Sequence, residues 1–282
     1  MFKKATKAQA KARLLFSGAS GSGKTTAALT VAAQLGKRIA FIDTEAGSAS
    51  LYADRFDFDV LELSPPYSPE SFIEAIEAAE GSGYDVVVID SITHEWSGPG
   101  GCLDIKTKLG DRFQDWAKVT PRHDRFIQSM MRSKCHVIAT VRAKQGYSMD
   151  ERGKVQKSGM DPQQRDGIDF EFTVCWNINA QHMAEAQKDR TRLFDGKPEV
   201  ITAETGKRLA EWLNAGEAAP IEQEEDLIGI IRHHKLANKL VSFTLAKLGK
   251  DNLDECSQAE LKRIKNYLDA QERTNTEMED AQ

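Results

Sequence analysis

Residues 18–26, GASGSGKTT, combine glycines, hydroxyl groups and one lysine in a spacing that can bind phosphate. They follow a short apolar run and precede an alanine-rich one, which is the strand-to-helix context of the pattern G-x-x-x-x-G-K-[ST]. Glycines allow several backbone N–H groups to turn toward phosphate oxygens, and a helix N-terminus adds a positive dipole. We therefore predict that ATP is bound by Gly18, Ser20, Gly21, Ser22, Gly23, Lys24, Thr25 and Thr26.

Three side chains have specific predicted roles around the bound phosphates. Lys24 is expected to reach the β- and γ-phosphates and to act in catalysis, and Thr25 is expected to hold Mg²⁺. Asp90 closes the apolar run VVVID and completes the metal site, because carboxyl ends of parallel strands face the ligand crevice of such a sheet. Asp43 closes another apolar run, RIAFID, and remains an alternative to Asp90.

A further carboxylate, Glu45, follows just past the strand that ends at Asp43. A carboxylate in this position can orient or deprotonate a water that attacks the γ-phosphate. A kinase needs no such residue, because its acceptor is the second substrate. Glu45 is therefore predicted to be catalytic, and hydrolysis of ATP is favoured over transfer to an acceptor.

Strand-like and helix-like segments alternate over the first two thirds of the chain. Predicted strands cover 13–17, 38–43, 59–64, 84–91, 135–141 and 167–178, and helices cover 25–36 and the segment that begins after Ser68. Ser68 suits a helix N-cap and Pro69 the first helical position. This alternation predicts an α/β fold with a mainly parallel sheet flanked by helices.

Composition divides the chain into five predicted parts. A basic N-terminal arm covers 1–12, the α/β core 13–214, an acidic linker 215–226, a small helical domain 227–271 and a polar tail 272–282. Within the helical domain, Ser257 and Glu260 have the spacing of a capping box.

Bulk composition narrows the class of protein. The 282 residues carry a formal net charge of −5, and no apolar run approaches the roughly 18 residues of a membrane span. No signal peptide is recognised, so the chain is expected to be cytoplasmic, with no membrane partner. The four cysteines (Cys102, Cys135, Cys175 and Cys256) form no CxxC pair and lie at no zinc-finger spacing, so they are predicted to be reduced, buried thiols.

Several motifs resemble a known family. The run FIDTE at 41–45 and VVVIDS at 86–91, with WSGPGG at 96–101, VRAK at 141–144 and KDR at 188–190, resembles the ATPase core of RecA-type recombinases over about residues 13–213. The likeness is greatest to compact phage-encoded ATPases of single-strand annealing and recombination systems. It implies a RecA-like P-loop core in which Glu45 is the catalytic glutamate and Asp90 the magnesium-side aspartate.

The same resemblance implies roles for residues farther along the chain. The strand at 135–141 would end in a γ-phosphate sensor, for which Thr140 and Arg142 are the candidates. Lys188 and Arg190 would reach the γ-phosphate of a neighbouring subunit, which implies a homo-oligomer.

Single-stranded DNA is the expected macromolecular partner. The polar segment 142–167 is predicted to be a long insertion in the position of a DNA-binding loop of RecA-like proteins. Its basic residues would follow the DNA backbone and its tyrosine could stack on a base, which makes Lys144, Tyr147, Arg152, Lys154 and Lys157 candidate DNA contacts. The acidic linker and tail could shield this surface or recruit a partner such as a single-strand-binding protein.

Other functions remain open at this point. The chain could be a small-molecule kinase, although Glu45 speaks against it, or a partition-type nucleotide switch, although that group carries an extra lysine where this chain has Ala19. A module with a purely structural nucleotide is a further alternative. An ATP-hydrolysing recombination or annealing protein accounts for the largest number of motifs.

Overall fold

The computed structural model describes residues 9–149, 155–216, 227–234, 236–257, 260–261, 263–268 and 271. The chain divides into two compact units, Met1–Glu217 and Ala218–Gln282. Within the described ranges, no helix is both long and apolar enough to cross a membrane.

The first unit alternates strands with helices. Its strands are β1 (Arg13–Gly18), β2 (Ile39–Asp43), β3 (Asp59–Glu62), β4 (Val86–Asp90), β5 (His136–Met149), β6 (Val155–Pro162), β7 (Val174–Ile178), β8 (Met183–Asp189) and β9 (Glu199–Val200). Its helices are α1 (Lys24–Leu35), α2 (Pro69–Gly81), α3 (Thr93–Ser97), α4 (Cys102–Lys108), α5 (Trp116–Arg132) and α6 (Ala203–Asn214).

The strands form one mixed sheet in the order β3-β2-β4-β5-β1-β7-β8-β9, with β6 paired to β5. All pairs from β3 to β7 are parallel, while β8 and β9 add to one edge in antiparallel fashion. The register sets Gly18 opposite Arg142 and Asp43 opposite Asp90. The predicted α/β class is confirmed, and the carboxyl ends of β3, β2 and β4 lie side by side, as do those of β1 and β7.

Each face of the sheet is covered by its own apolar core. On one face α1 and α6 pack against β1 and β7, where the rings of Phe16 and Trp176 stack with centroids 4.9 Å apart. On the other face α2 and α5 meet through Phe72 and Phe126. Burial on both faces explains why the central strands are continuous runs of apolar, often β-branched residues.

Two local predictions are confirmed at helix ends. Ser68 Oγ accepts the N–H of Ser71 at 3.2 Å, so Ser68 is the N-cap of α2 and Pro69 its first residue. The N–H of Gly36 donates to Ala32 O, which ends α1 where its pattern of small apolar residues stops.

Two predicted segments were wrong. The segment 142–167 is largely an antiparallel hairpin of β5 and β6 instead of a long loop, because its polar residues extend a buried strand outward. The strand predicted at 167–178 begins only at Val174. Before it, Gly167 at φ +85° opens a turn of 3₁₀ helix over Ile168–Phe170, a conformation that glycine adopts easily.

The second unit is helical. It contains α7 (Leu227–His233), α8 (Ala237–Lys247), a 3₁₀ turn at Leu253–Glu255 and helical residues at 260–261 and 263–268. Its core is formed by Ile231, Leu245, Leu253, Leu261, Ile264 and Leu268. The predicted capping box is present, since Glu260 Oε2 accepts the N–H of Ser257 at 2.7 Å and Ser257 Oγ accepts the N–H of Glu260 at 3.4 Å.

The imidazole of His136 gives the first unit a pH-dependent stability. Its Nδ1 accepts the N–H of Ala12 at 3.0 Å, and burial, together with Lys11 and Arg13, lowers the pKa of His136 from 6.5 to about 4. The unfolded chain therefore binds this proton more readily than the folded chain does. Stability is complete above the unfolded value of 6.5 and is lost as pH falls from 6.5 toward 4, by at most about 3 kcal/mol.

We predict that His136→Asn, which retains an acceptor but does not titrate, flattens this dependence. Urea unfolding followed by tryptophan fluorescence measures it, because all four tryptophans lie in the first unit. The difference in unfolding free energy between the original chain and the variant should shrink as pH falls through this window. A difference that stays constant with pH would contradict the assignment.

Candidate active site

The loop between β1 and α1 has the geometry of a phosphate-binding loop. A Cβ at Gly18 would lie 2.5 Å from both Ile178 O and Ser22 Oγ, and Gly23 has φ +94°, so both positions require glycine. Ser22 Oγ is buried and has no hydrogen-bond partner in the described chain. Buried polar atoms are rarely left unpaired, so the loop fits a ligand that bears oxygen acceptors.

The lysine of the loop folds back over it. Lys24 is the first residue of α1, is 8% exposed, and its Nζ donates to Ala19 O at 2.9 Å. Burial lowers the pKa of Lys24, and the nearby carboxylates of Asp90 and Glu45 oppose that shift. An ammonium that is mostly desolvated and bonded to one backbone carbonyl is well prepared to bind an anionic phosphate.

Asp90 is the last residue of β4, and its carboxylate connects β4 to α1 and β5. Its Oδ2 accepts the hydroxyl of Thr25 at 2.5 Å, and its Oδ1 accepts the hydroxyl of Thr140 from β5. Burial raises the pKa of Asp90, whereas the two hydroxyl donors oppose the rise. A threonine hydroxyl and a carboxylate are oxygen ligands of the kind that Mg²⁺ prefers, so this pair fits a magnesium site.

Glu45 and Arg142 form a two-pronged ion pair beside this site. Arg142 Nε donates to Glu45 Oε1 at 2.8 Å and Nη2 to Oε2 at 2.6 Å. Burial alone would raise the pKa of Glu45, but the hydrogen bonds and charge of Arg142 lower it overall. Glu45 is therefore an ionised carboxylate at neutral pH, and the ion pair fixes its orientation.

Asp43, the sequence alternative to Asp90, has a different position. Its Oδ1 accepts the N–H of Glu45 at 2.6 Å and its Oδ2 accepts the N–H of Ala49 at 3.0 Å. Both oxygens are thus used by the backbone of the loop that carries Glu45. The carboxylate of Asp43 shapes that loop, while Asp90 alone of the two bonds to Thr25.

Sequence reasoning missed the polar residues Thr44, Ser91 and His94 beside Glu45, of which Ser91 donates from its Oγ to Glu45 Oε1 at 3.4 Å. Thr44 Oγ1 accepts the N–H of Ser91 at 2.8 Å and lies 2.6 Å from Nδ1 of His94, whose ring stacks on Tyr67 at 4.9 Å. Burial lowers the pKa of His94, and Arg142 adds to the effect. The signal that could have found them is the run DSITHE directly after the strand that ends at Asp90.

A small cleft of about 200 Å³ opens on the other side of the phosphate loop. Its walls are mostly apolar, with one imidazole, and consist of Thr26, Ala27, Ile178, His182, Val200 and Ile201 beside Ser22 and Gly23. His182 Nδ1 lies 2.9 Å from Ser22 O, which anchors the ring next to the loop. A flat heterocycle joined to the phosphates would find an apolar wall there.

The remaining predicted residues are two cations near the start of β7 and two residues of the phosphate loop. Lys188 Nζ donates to Asp169 O at 2.7 Å and to Phe170 O at 2.6 Å, and Arg190 Nη2 donates to Phe170 O at 2.9 Å, so these two cations share one turn. Ser20 and Gly21 are exposed at the tip of the loop.

The predicted DNA contacts fall on the hairpin or outside the described residues. Lys144 is exposed on β5, and Tyr147 and Lys157 are backbone partners in the β5–β6 ladder. Arg152 and Lys154 lie outside the described residues.

The glycine loop, its lysine and the Thr25–Asp90 pair on a mainly parallel sheet define a nucleotide-binding P-loop NTPase with a RecA-like core. A family model described as an AAA domain matches residues 10–207. Since this range is well over half of the sequence, the chain belongs to the AAA domain family.

Part of the chain is also similar in sequence to curated RecA proteins. Protein RecA of Thermus thermophilus is 37% identical over 101 residues, which are 34% of this chain and 28% of the relative. Protein RecA of Haemophilus ducreyi is 41% identical over 81 residues, which are 27% of this chain and 22% of the relative. The matched region thus spans less than a third of either relative.

Proposed function

We propose that this protein hydrolyses ATP and binds single-stranded DNA in recombination or strand annealing. The observation that carries the hydrolysis is the Glu45–Arg142 pair, which lies beside the Thr25–Asp90 pair at the phosphate loop. The DNA half of the proposal rests on the β5–β6 hairpin and on the resemblance described above.

Binding would use the loop and its lysine. The backbone of 18–23, the hydroxyl of Ser22 and the ammonium of Lys24 would receive the phosphates, and the small apolar cleft beside His182 would receive the base. Thr25 and Asp90 would hold Mg²⁺, which when bound neutralises charge on the phosphate oxygens. The phosphate loop thus suits the charged phosphates of a nucleotide, and the apolar cleft suits its base.

Hydrolysis would then depend on Glu45 and Arg142. The ionised carboxylate of Glu45 accepts a proton from the water that attacks the γ-phosphorus, and the bond from that phosphorus to the leaving oxygen of ADP breaks. Arg142 extends from β5 and is paired with Glu45. Its guanidinium stabilises the negative charge that spreads over the γ-oxygens. Lys24 stabilises the same charge from the loop.

We predict different outcomes for two variants of this site. Lys24→Ala should abolish ATP binding or hydrolysis, because the phosphates lose their only buried cation from the loop. Glu45→Gln should retain ATP binding but lower turnover by about 10²–10⁴-fold, since an amide cannot accept the proton. Phosphate release and binding of a fluorescent ATP analogue measure both.

Glu77→Gln, on the surface of α2, is a matched control and should leave turnover unchanged. Normal turnover in Lys24→Ala would refute the site assignment. Normal turnover in Glu45→Gln would leave Glu45 without its catalytic role. Release of phosphate only after addition of a small acceptor would indicate a kinase.

One strand links the proposed ATPase site to the proposed DNA surface. β5 carries Thr140 and Arg142 at the site and continues to Lys144 and, past a register shift between Gly146 and Tyr147, to Tyr147 in the hairpin. Basic side chains there would neutralise DNA phosphates, and an aromatic ring can stack on an unpaired base. A strand that is shared in this way gives single-stranded DNA a direct route to influence Arg142.

We predict that Lys144→Gln combined with Lys157→Gln weakens binding to a fluorescent oligodeoxythymidine. The slope of log K against log salt should fall by about 0.7 for each lysine that contacts a phosphate. The control Lys134→Gln removes an exposed lysine just before β5 and should change neither quantity. A double variant that binds as tightly as the original chain, with the same salt slope, would contradict this surface.

Lys188 and Arg190 are proposed to act on a neighbouring subunit in a homo-oligomer. Both are held on one turn by backbone carbonyls, with Lys188 half-buried and Arg190 exposed. A cation supplied by a neighbour makes hydrolysis depend on assembly.

The acidic segment 215–226 is proposed to contact a basic or single-strand-binding partner.

We predict that Arg190→Ala binds ATP but turns it over slowly, and that mixing it with inactive Lys24→Ala restores part of the turnover. The mixture pairs an intact loop with an intact arginine across one interface. Arg192→Ala, exposed two residues away, serves as the control. No recovery on mixing, at concentrations where light scattering detects assembly, would exclude a role across the interface.

A further inference from the structure

Three buried side chains converge away from the phosphate loop. Glu95 comes from α3, Cys102 is the first residue of α4, and His123 lies in α5. Their exposed fractions are 0%, 0% and 3%. Glutamate is rarely buried this completely without a partner that neutralises it, so the cluster calls for an explanation.

The three side chains bring together an oxygen, a sulfur and a nitrogen. Cys102 Sγ lies 3.0 Å from Glu95 Oε1, and His123 Nδ1 lies 3.1 Å from Oε1 and 3.2 Å from Oε2. One ligand atom from each residue lies within 4.8 Å of the others. Ligands about 2.0–2.3 Å from one Zn²⁺ are separated by about 3–4 Å, so small shifts of the side chains would admit the ion.

The charge of the cluster favours a cation. In the described part of the chain, no lysine or arginine forms an ion pair with Glu95, and the imidazole of His123 beside it is charged only when protonated. The thiol of Cys102 and the ring of His123 both lie within hydrogen-bonding distance of this carboxylate. A divalent ion would offset both the buried carboxylate and a thiolate, at a position where the desolvation of charge is costly.

The surroundings resemble the outer shell of a metal centre. Gln164 Nε2 donates to Ile92 O at 2.9 Å and to Glu95 Oε2 at 3.3 Å, which orients the carboxylate. The ring of Trp96 packs edge-on against His123 at 5.4 Å. A cleft of about 410 Å³ borders His123 on the outer side of the cluster. Such groups commonly fix the ligands of a metal and control access to it.

We propose that Glu95, Cys102 and His123 bind one Zn²⁺, with a water from the cleft as the fourth ligand. The mixed O, S and N set suits zinc and disfavours Mg²⁺ and Ca²⁺, which take oxygen ligands. Binding releases the thiol proton of Cys102 to solvent, because the ligand is the thiolate. The ion joins α3, α4 and α5, three helices that are close in space but spread over the 40 residues from Thr93 to Arg132.

The test uses Co²⁺, whose spectrum reports its ligands. The full-length protein is reduced, stripped with a chelator, desalted and titrated with Co²⁺. A thiolate-to-cobalt charge-transfer band should appear and saturate at one ion per chain, and Zn²⁺ should displace it. Cys102→Ala should lose the band, whereas Cys175→Ala, which removes another buried free cysteine, should keep it.

Two results would overturn the site. One is the absence of any charge-transfer band in the unmodified chain, and the other is a band that survives Cys102→Ala. Loss of the fold in a variant is detected by circular dichroism, in which case His123→Gln replaces it and should weaken Co²⁺ binding at least tenfold. Zn²⁺ should also raise the melting temperature of the unmodified chain and of Cys175→Ala only.

Discussion

The buried carboxylate of Asp90 is the interaction on which the rest of the site depends. It ends β4, accepts the hydroxyl of Thr25 at the start of α1 and accepts the hydroxyl of Thr140 in β5. Removing a carboxylate from water is costly, and hydrogen-bonded partners offset that cost. The constraint is therefore mutual: the phosphate loop, β4 and β5 must sit in one register, and the parallel pairing of the sheet provides it.

The same register places the remaining charges. Because Gly18 lies opposite Arg142 and Asp43 opposite Asp90, the loop after β2 and the middle of β5 meet through the Glu45–Arg142 ion pair near the phosphate loop. Both carboxylate oxygens of Asp43 accept backbone N–H groups, those of Glu45 and Ala49. These bonds shape the loop in which the carboxylate of Glu45 faces Arg142. The carboxyl groups of Asp43, Glu45 and Asp90 thus each have hydrogen-bond donors that fix their orientation before any ligand binds.

Much of this arrangement could be predicted from local sequence. The glycine spacing, the apolar strands that end in Asp43 and Asp90, and the Ser68–Pro69 helix start all depend on neighbours in the chain. The hairpin of β5 and β6 was not predicted. Polar residues extend a strand only when a partner strand is available, and the pattern of neighbouring residues does not show whether one is. The strand predicted at 167–178 began too early, because Gly167 starts a 3₁₀ turn. The apolar residues that follow Gly167 have the same pattern as a buried strand, so the turn could not be recognised from them.

Contacts between distant elements could not be predicted, and they connect the two proposed sites. Glu95, Cys102 and His123 have no motif spacing, since three separate helices bring them together. The first of these helices also reaches the phosphate site, because Thr93 Oγ1 accepts the N–H of Arg142 at 2.9 Å. α3 therefore carries a ligand of the proposed zinc at one position and supports the backbone of Arg142 two residues earlier. An ion that fixes α3 would also restrict the part of β5 that carries Arg142, the partner of Glu45, and this contiguous path would be the physical basis for coupling between the two proposed sites.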